Sequence, residues 1–354
     1  MTYLKTISPT AAALGAALFF GGSTPFAKQL LNHISPILLA GLLYAGSGLG
    51  LFIARVIRDR GWSHSGLKNN EWMWLLGAIA FGGVLGPILL MLGLQHTSAA
   101  TTSLLLNLEA VLTAVLAWVV FKESTDFRIV FGMLVIVAGG ILLSWPQGQS
   151  TDSQVIGPLL IAGACLCWSI DNNFTRMVST GDPLFIACVK GMMSGLVSIT
   201  MALLLGATFP AIPTIGHAMV VGFFGYGASL VLFVLALRGL GTARTGAYFS
   251  TAPFIGAAIA ILIFHEQTSS LFWIAAGLMG WGVWIHLTEN HLHDHTHNTL
   301  DHAHSHVHDE HHQHEHDFAW DGKEPHNHHH EHLPIRHAHP HYPDIHHRHD
   351  HKED

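Results

Sequence analysis

The chain has 354 residues, half of them hydrophobic and only 11% charged, with a formal net charge of −7. Apolar runs of about 20 residues, the length of helix that crosses a bilayer, recur through its first 288 positions. That excludes a soluble globular domain, and no nucleic-acid partner is expected.

The start, MTYLKTISPTAAALGAALFFGG, has the basic flank and apolar core of a signal peptide. The apolar run continues to Leu31, however, and reads as a retained first helix. Hydropathy predicts ten spans: 10–31, 36–57, 71–92, 99–121, 128–144, 157–176, 183–206, 215–237, 242–264 and 269–288. Short joints rich in Gly, Pro, Ser, Asn and Asp separate them. Pro25, Pro87 and Pro253 interrupt spans one, three and nine and are expected to bend them. Gly191 and Gly195 form a GxxxG pair in span seven, expected beside Gly82, Gly83 and Gly86 of span three. Trp72, Trp74, Trp145, Trp273 and Trp284 fall near span ends, as an interfacial aromatic belt requires. Cys165, Cys167 and Cys188 read as small core residues.

Basic residues set the expected orientation. With the N-terminus in the cytoplasm, that side holds Lys5, Arg55, Arg58, Arg60, Lys68, Lys122, Arg128, Arg176, Arg238 and Arg244, against Lys28 alone outside. Both termini are then cytoplasmic, in a multi-pass protein of the cytoplasmic (inner) membrane.

The chain also repeats itself. Ala99–Glu123, ending Phe121-Lys122-Glu123, is echoed from Thr242 to Phe264-His265-Glu266, and LFFGGSTPFAK ending at Lys28 is echoed by LCWSIDNNFTR ending at Arg176. Five spans per copy is an odd number, so the second copy enters from the opposite side. The fold class is therefore an all-α polytopic membrane protein of two inverted five-helix repeats, 1–146 and 147–290, plus a disordered His-rich tail, 291–354. Inverted repeats suit a transporter, whose halves exchange conformations around a midplane site.

These echoes, with LGLQHTSAATTSLLLNLEAVLTAVLAWVVFKE and LALRGLGTARTGAYFSTAPFIGAAIAILIFHE as fourth and ninth helices and GMLVIVAGGILL and AAGLMGWGVWIHL closing each half, resemble the drug/metabolite transporter superfamily, in particular its EamA-like ten-helix permeases. The resemblance covers about residues 10–288. It implies transport of small organic metabolites through a central cavity, with the fifth and tenth helices peripheral and available for a homodimer.

Ionisable groups within a bilayer tend to face partners or water. Asp171 lies five residues before Arg176 and Lys190 seven after Pro183, on consecutive antiparallel helices. Both sit about 8–10 Å from the inner edge, which favours an ion pair between them. That pair reads as a structural latch or as a substrate contact. Glu109, near the midplane, has no cation at its own depth. It suits proton coupling or recognition of a cationic group, or else is a neutral glutamate held by Thr102 and Thr113. Asn107, Asn172 and Asn173 offer uncharged donors and acceptors, and Tyr226, Tyr248 and Ser250 add polar tips for a ligand. Lys28 and Arg176, at equivalent places in the two halves, gate opposite mouths or snorkel to the headgroups. No phosphate-cradling glycine loop, HExxH or GxSxG is present, so no enzyme is expected and no cofactor is required.

The tail holds 24 of the 30 histidines, with 13 Asp and Glu against four Lys and Arg. It is too poor in apolar residues to fold alone. Imidazoles at alternating and adjacent positions, among them His291, His293, His295, His297, His302, His304, His306, His308, His311, His312, His314, His316, His328, His329 and His330, can bind Zn, Ni, Cu or Co. The leading expectation is a secondary transporter, an exporter, of a small organic metabolite or amino-acid-like solute. The alternatives are a divalent-metal transporter fed by the tail, and a membrane-tethered metal sensor or store.

Overall fold

A computed structural model describes residues 8–59, 71–121, 127–145, 151–178 and 182–288, and, in the tail, 292–296, 300–306, 326–332 and 336–340. Residues up to Thr288 form one unit and the tail a second. Seven helical segments of the first unit are long and apolar enough to cross a membrane, and shorter apolar helices over Phe127–Leu143, Ala252–Leu262 and Ser270–Ile285 make up the other three crossings.

The first two spans are α1 (Pro9–Leu30), capped by Ser8, and α2 (Pro36–Asp59). Pro25 lies inside α1 without ending it. The third span is α3 (Glu71–Ala78), a π-helical segment (Ile79–Leu85) and α4 (Gly86–His96). Pro87 follows the π turn as the second residue of α4. It has no N–H to give, and the Gly86 N–H bonds Phe81 O, one residue further back than in an α-helix. In that register Gly82 O would be served by Pro87 and loses its helical donor. Two side chains replace it: Tyr44 Oη donates to Gly82 O at 2.8 Å and Trp168 Nε1 at 3.0 Å.

The fourth span, expected as one helix, is two: α5 (Ala99–Leu105) and α6 (Leu108–Phe121). Asn107 sits in the break, its side-chain amide donating to Leu104 O at 2.9 Å. This local side-chain bond competes with the helix ladder, which is why Asn interrupts helices. After α7 (Phe127–Leu143), the second repeat runs through α8 (Thr151–Met177), α9 (Pro183–Leu204) and α10 (Ile212–Gly222), then a second π segment (Phe223–Ala228). Next come α11 (Ser229–Phe249), α12 (Ala252–Leu262) and α13 (Ser270–Leu287). The expected joint between spans eight and nine, at 238–241, keeps helical backbone bonding within α11. The chain nevertheless doubles back across it: the rings of Phe233 and Phe249 stand 4.8 Å apart, where a straight helix would hold them about 24 Å apart. A further break falls at Ser250–Thr251, where Pro253 opens α12 rather than bending a longer helix.

The two π segments occupy matching places in the two repeats, and so do the breaks at Asn107 and Ser250. Equivalent helices also pack antiparallel. Along α2 and α9, Gly41 meets Ile199, Ala45 meets Gly195 and Gly48 meets Gly191. Along α7 and α13, Gly139 meets Met279 and Gly282 meets Ile136. Helices related by repeat therefore run in opposite directions, which is the inversion that the odd span count required. Gly191 and Gly195 pack on α2, not on span three as expected. Gly82, Gly83 and Gly86 receive Asp171, Ser194 and Trp168 instead.

Packing is unequal along the bundle. At the end where α1 closes and α2 opens, here called distal, one continuous core joins Leu38, Leu39, Leu90, Leu94, Leu104, Ile161 and Ala260. Towards the opposite, proximal end the core divides into separate clusters. Leu75, Ile79, Val178 and Ile186 form one, Ala12, Ala13 and Ala236 another, and Leu51, Ala187 and Cys188 a third. The halves are thus sealed together distally and held proximally by smaller contacts. One of these is ionic: Arg58 grips Asp182 with both terminal nitrogens, at 3.1 and 2.6 Å, while Arg55 lies over the Phe185 ring.

In the tail, expected to lack structure, four segments pair as strands. β1 (Leu292–Thr296) pairs antiparallel with β4 (Arg336–Pro340), and β2 (Leu300–His306) with β3 (His326–His332). Alternation of His with other residues has the period of two that a strand presents.

Candidate functional site

The mid-depth of the bundle carries the polar residues. Lys190, on α9, forms a salt bridge to Asp171 Oδ2, on α8, and Thr175 donates to Asp171 Oδ1 at 3.0 Å. The pair expected from depth alone is present, and both side chains are nearly buried. Its seat is the first π segment. A Cβ on Gly82 would stand 2.0 Å from Asp171 Oδ2, and one on Gly83 1.9 Å from Ser194 Oγ. Only glycine at these two positions lets α8 and α9 bring the ion pair so close to span three.

Glu109 lies in the first turn of α6, just beyond the Asn107 break. Its Oε1 accepts from Asn172 Nδ2 at 2.9 Å, and that amide also lies 3.4 Å from Thr113 Oγ1. Ser169 Oγ donates to Glu109 O at 3.0 Å, tying α6 to α8. Among the described residues no cation bonds the Glu109 carboxylate, whose partner is a neutral, exposed amide. Thr102, expected at Glu109, bonds Thr97 instead.

An aromatic cluster gathers rings from α1, α2, α8, α11 and the second π segment. Phe20 meets Trp168 edge-on at 6.1 Å and Tyr226 at 6.1 Å, and Tyr44 lies 5.2 Å from Tyr226. Phe249 adds a ring 5.4 Å from Phe20. Tyr44 and Trp168 were not singled out from sequence. The signal that points to them is Pro87, which leaves a buried carbonyl needing donors.

Other expected residues have local duties. Asn173 donates to Ser169 O within its own helix at 2.8 Å, as Asn107 does to Leu104. Tyr248 packs with the Ala12, Ala13 and Ala236 cluster, and Ser250 closes α11. Neither Asn107 nor Asn173 faces Glu109 with a free amide. Arg176 has its side chain outside the described residues. So do His291, His297, His308, His311, His312, His314 and His316 in their entirety. The side chains of the other tail histidines also lie outside what is described, and among the residues whose side chains are described no group of three or more His, Cys, Asp or Glu is placed to hold a metal ion.

Lys28 does not snorkel. Its Nζ donates to Leu94 O at 2.6 Å and Thr97 O at 2.8 Å, at the C-terminal end of α4. Two residues later α5 begins, and its first amides are also served from afar. Glu266 accepts from Ala99 N at 2.9 Å and Ala100 N at 2.8 Å, while Ser98 Oγ accepts from Thr101 N at 3.0 Å. A cation at one helix C-terminus and an anion at the next N-terminus complement both helix dipoles. The joint Thr97–Ser98 is clamped between them. Glu266 was missed in sequence, although its place in the Phe-His-Glu echo marked it. Its position depends on His265, whose φ of 53° turns the chain after α12. His is among the residues that tolerate this left-handed region.

The repeat seen in sequence and in packing has a counterpart among known proteins: residues 8–145 and 155–288 each match the EamA-like transporter family. The chain belongs to that family. It is a multi-pass membrane transporter built from two EamA-like repeats. A transporter of Methanothermobacter thermautotrophicus is 28% identical over 298 residues, spanning 80% of this chain and 87% of that protein. The transporter YyaM of Bacillus subtilis is 25% identical over 257 residues, spanning 68% of this chain and 81% of YyaM. A shorter stretch is 35% identical over 112 residues to ArnE of Pseudomonas aeruginosa, a probable 4-amino-4-deoxy-L-arabinose-phosphoundecaprenol flippase subunit, covering 30% of this chain and 93% of ArnE. A solved crystal structure superposes with a TM-score of 0.60 at 18% identity, over 79% of this chain and 96% of that one. This EamA-like transporter thus shares a fold with a protein of known structure, while its site must be read from its own residues.

Proposed function

We propose that this chain exports a small, amino-bearing organic solute across the cytoplasmic membrane by alternating access, loading it from the proximal end. The observation that carries this reading is the Glu109 carboxylate: it is met by a neutral amide, and Ser169, which bonds the Glu109 backbone, follows Trp168 of the aromatic cluster along α8. A carboxylate with aromatic faces is the chemistry that receives an ammonium group, through charge and through cation–π attraction. The neighbouring Asp171–Lys190 pair supplies both signs of charge for the rest of an amino-acid-like solute. ArnE, whose name gives an amino-bearing substrate, supports the same class.

In this proposal the proximal end faces the cytoplasm, with both chain termini. The continuous distal core and the Lys28–Glu266 clamp seal the far mouth in the loading state. Release requires the clamp to open while the proximal clusters close, with Arg176 acting there as Lys28 acts distally. Glu109 exchanges a proton for the solute's ammonium group during the cycle. A second copy of the chain would meet it on α7 and α13, whose Leu134, Ile141, Trp273 and Trp284 face outward.

The test is counterflow in proteoliposomes with a panel of amino acids, polyamines and amino sugars against carboxylate-only analogues. Uptake of at least one amine, competed by other amines and not by the deaminated analogues, is the expected result. Transport of the carboxylate-only compounds alone would reject the reading.

A further inference from the structure

The tail's two ribbons place histidines opposite histidines. In β2–β3 the paired positions are His302 with His330, His304 with His328 and His306 with His326. Alternate residues of a strand share a face, and directly opposed residues of an antiparallel pair share it too. All six therefore belong to one face of the ribbon. The other face carries Asp301 opposite Glu331, Ala303 opposite His329 and Ser305 opposite Asn327. The shorter ribbon repeats the arrangement, with His293 opposite His339 and His295 opposite His337.

Segregation of this kind does not follow from histidine content. A one-residue slip of β2 against β3 would alter every opposed pair and move the histidines of one strand to the face opposite those of the other. Opposed Cβ atoms in such a ribbon are about 4.5–5.5 Å apart. Imidazole nitrogens bind Zn at about 2.0–2.1 Å, and directly opposed register positions are close enough for two histidines to share one ion. Two successive pairs, such as 302/330 and 304/328, put four histidines at neighbouring register positions of one face, and four is the number of ligands a tetrahedral ion takes.

We propose that the tail is a two-ribbon binding site for divalent late transition metals, read by imidazole, in which cross-strand His pairs and not loose His content form the tight sites. The β2–β3 face, with three pairs, holds the stronger site, and the β1–β4 face, with two, a separate one. His326, His337 and His339 thereby become ligands, and His329 is excluded from the main face.

The experiment is a Zn titration of the full-length chain in detergent by calorimetry, with Co(II) absorption reporting coordination geometry. A composition-preserving variant exchanges neighbours along β2: Asp301→His with His302→Asp, Ala303→His with His304→Ala, and Ser305→His with His306→Ser. It keeps every histidine in the tail but reduces the three cross-strand His pairs of this ribbon to one. The expected result is loss of the tightest Zn site, its affinity falling roughly 10²-fold as linked ligands become independent, together with loss of the tetrahedral Co(II) bands. His293→Ala with His295→Ala should instead remove the second site and leave the first. Equal stoichiometry and affinity for wild type and the exchanged variant would overturn the proposal, because binding would then follow composition alone. So would absence of any Zn site tighter than that of isolated His-containing peptides.

Discussion

Glu266 Oε1 accepts from the Ala99 N–H at 2.9 Å, joining the turn after α12 in the second repeat to the start of α5 in the first. With the Ala100 bond it satisfies two amides that a helix start leaves without partners. Hydrogen bonds to a charged acceptor are worth about 1.5–3 kcal/mol each before solvent competes for the group. Glu266→Ala is therefore expected to favour the distally open state by roughly 30-fold, for a net loss of about 2 kcal/mol. Thiol labelling of Ala100→Cys, a position buried in the closed state, should rise accordingly, and unchanged labelling would separate Glu266 from the gate.

Lys28 and Glu266 hold the same joint from its two sides, so their effects should not add. Lys28→Met and Glu266→Gln each open the distal end. The double variant should fall short of the summed effects by about 0.5–3 kcal/mol, the range for groups sharing a network. Strict additivity in a labelling cycle would mean two unrelated contacts.

His265 makes a separate prediction about backbone. At φ 53°, glycine is at ease and a β-branched residue is not. His265→Gly should retain transport and thermal stability. His265→Val should lose about 1–3 kcal/mol and mimic Glu266→Ala in labelling, since the carboxylate no longer reaches α5.

Removing one member of a buried ion pair leaves the other uncompensated, at a cost of about 3–5 kcal/mol. Asp171→Asn or Lys190→Met should therefore reduce folded protein in the membrane, and Asp171→Lys with Lys190→Asp should recover part of it. Gly82→Ala should match the single variants, because its methyl group enters the space of the Asp171 carboxylate. Full activity of Gly82→Ala would show that α8 can retreat without harm.

Glu109→Gln tests proton coupling. If the carboxylate takes up a proton when the solute leaves, wild-type export should be driven by an inward proton gradient and lost when the gradient is collapsed. The glutamine variant should retain neither response. Persistence of gradient-driven flux in Glu109→Gln assigns coupling to another group.

Much of the architecture was legible in the chain. The Phe-Lys-Glu and Phe-His-Glu echoes marked the repeat, the odd span count its inversion, and depth alone paired Asp171 with Lys190. What the sequence concealed were features set by backbone register. The reversal around Gly239 and Gly241 was legible as a joint, but not that helical backbone bonding would persist through it, because glycine is tolerated in a turn and a helix alike. Asn107 looked like a ligand residue because its amide is polar and deep in the bilayer, yet the nearest carbonyl takes it. Tyr44 and Trp168 could not be linked to Gly82 until a proline one turn later was seen to strip that carbonyl of its donor.

Each third helix of a repeat carries one turn wound with a surplus residue, at Ile79–Leu85 and Phe223–Ala228. Shedding that residue to ordinary pitch would swivel one length of the rod against the other by about 100°. The two repeats thus hold matched pivots, the first beside the charged pair and the second against Ser23 and Ser47, so a rotation confined to a single turn of the first can redirect Asp171 and its neighbours while both helix ends stay anchored.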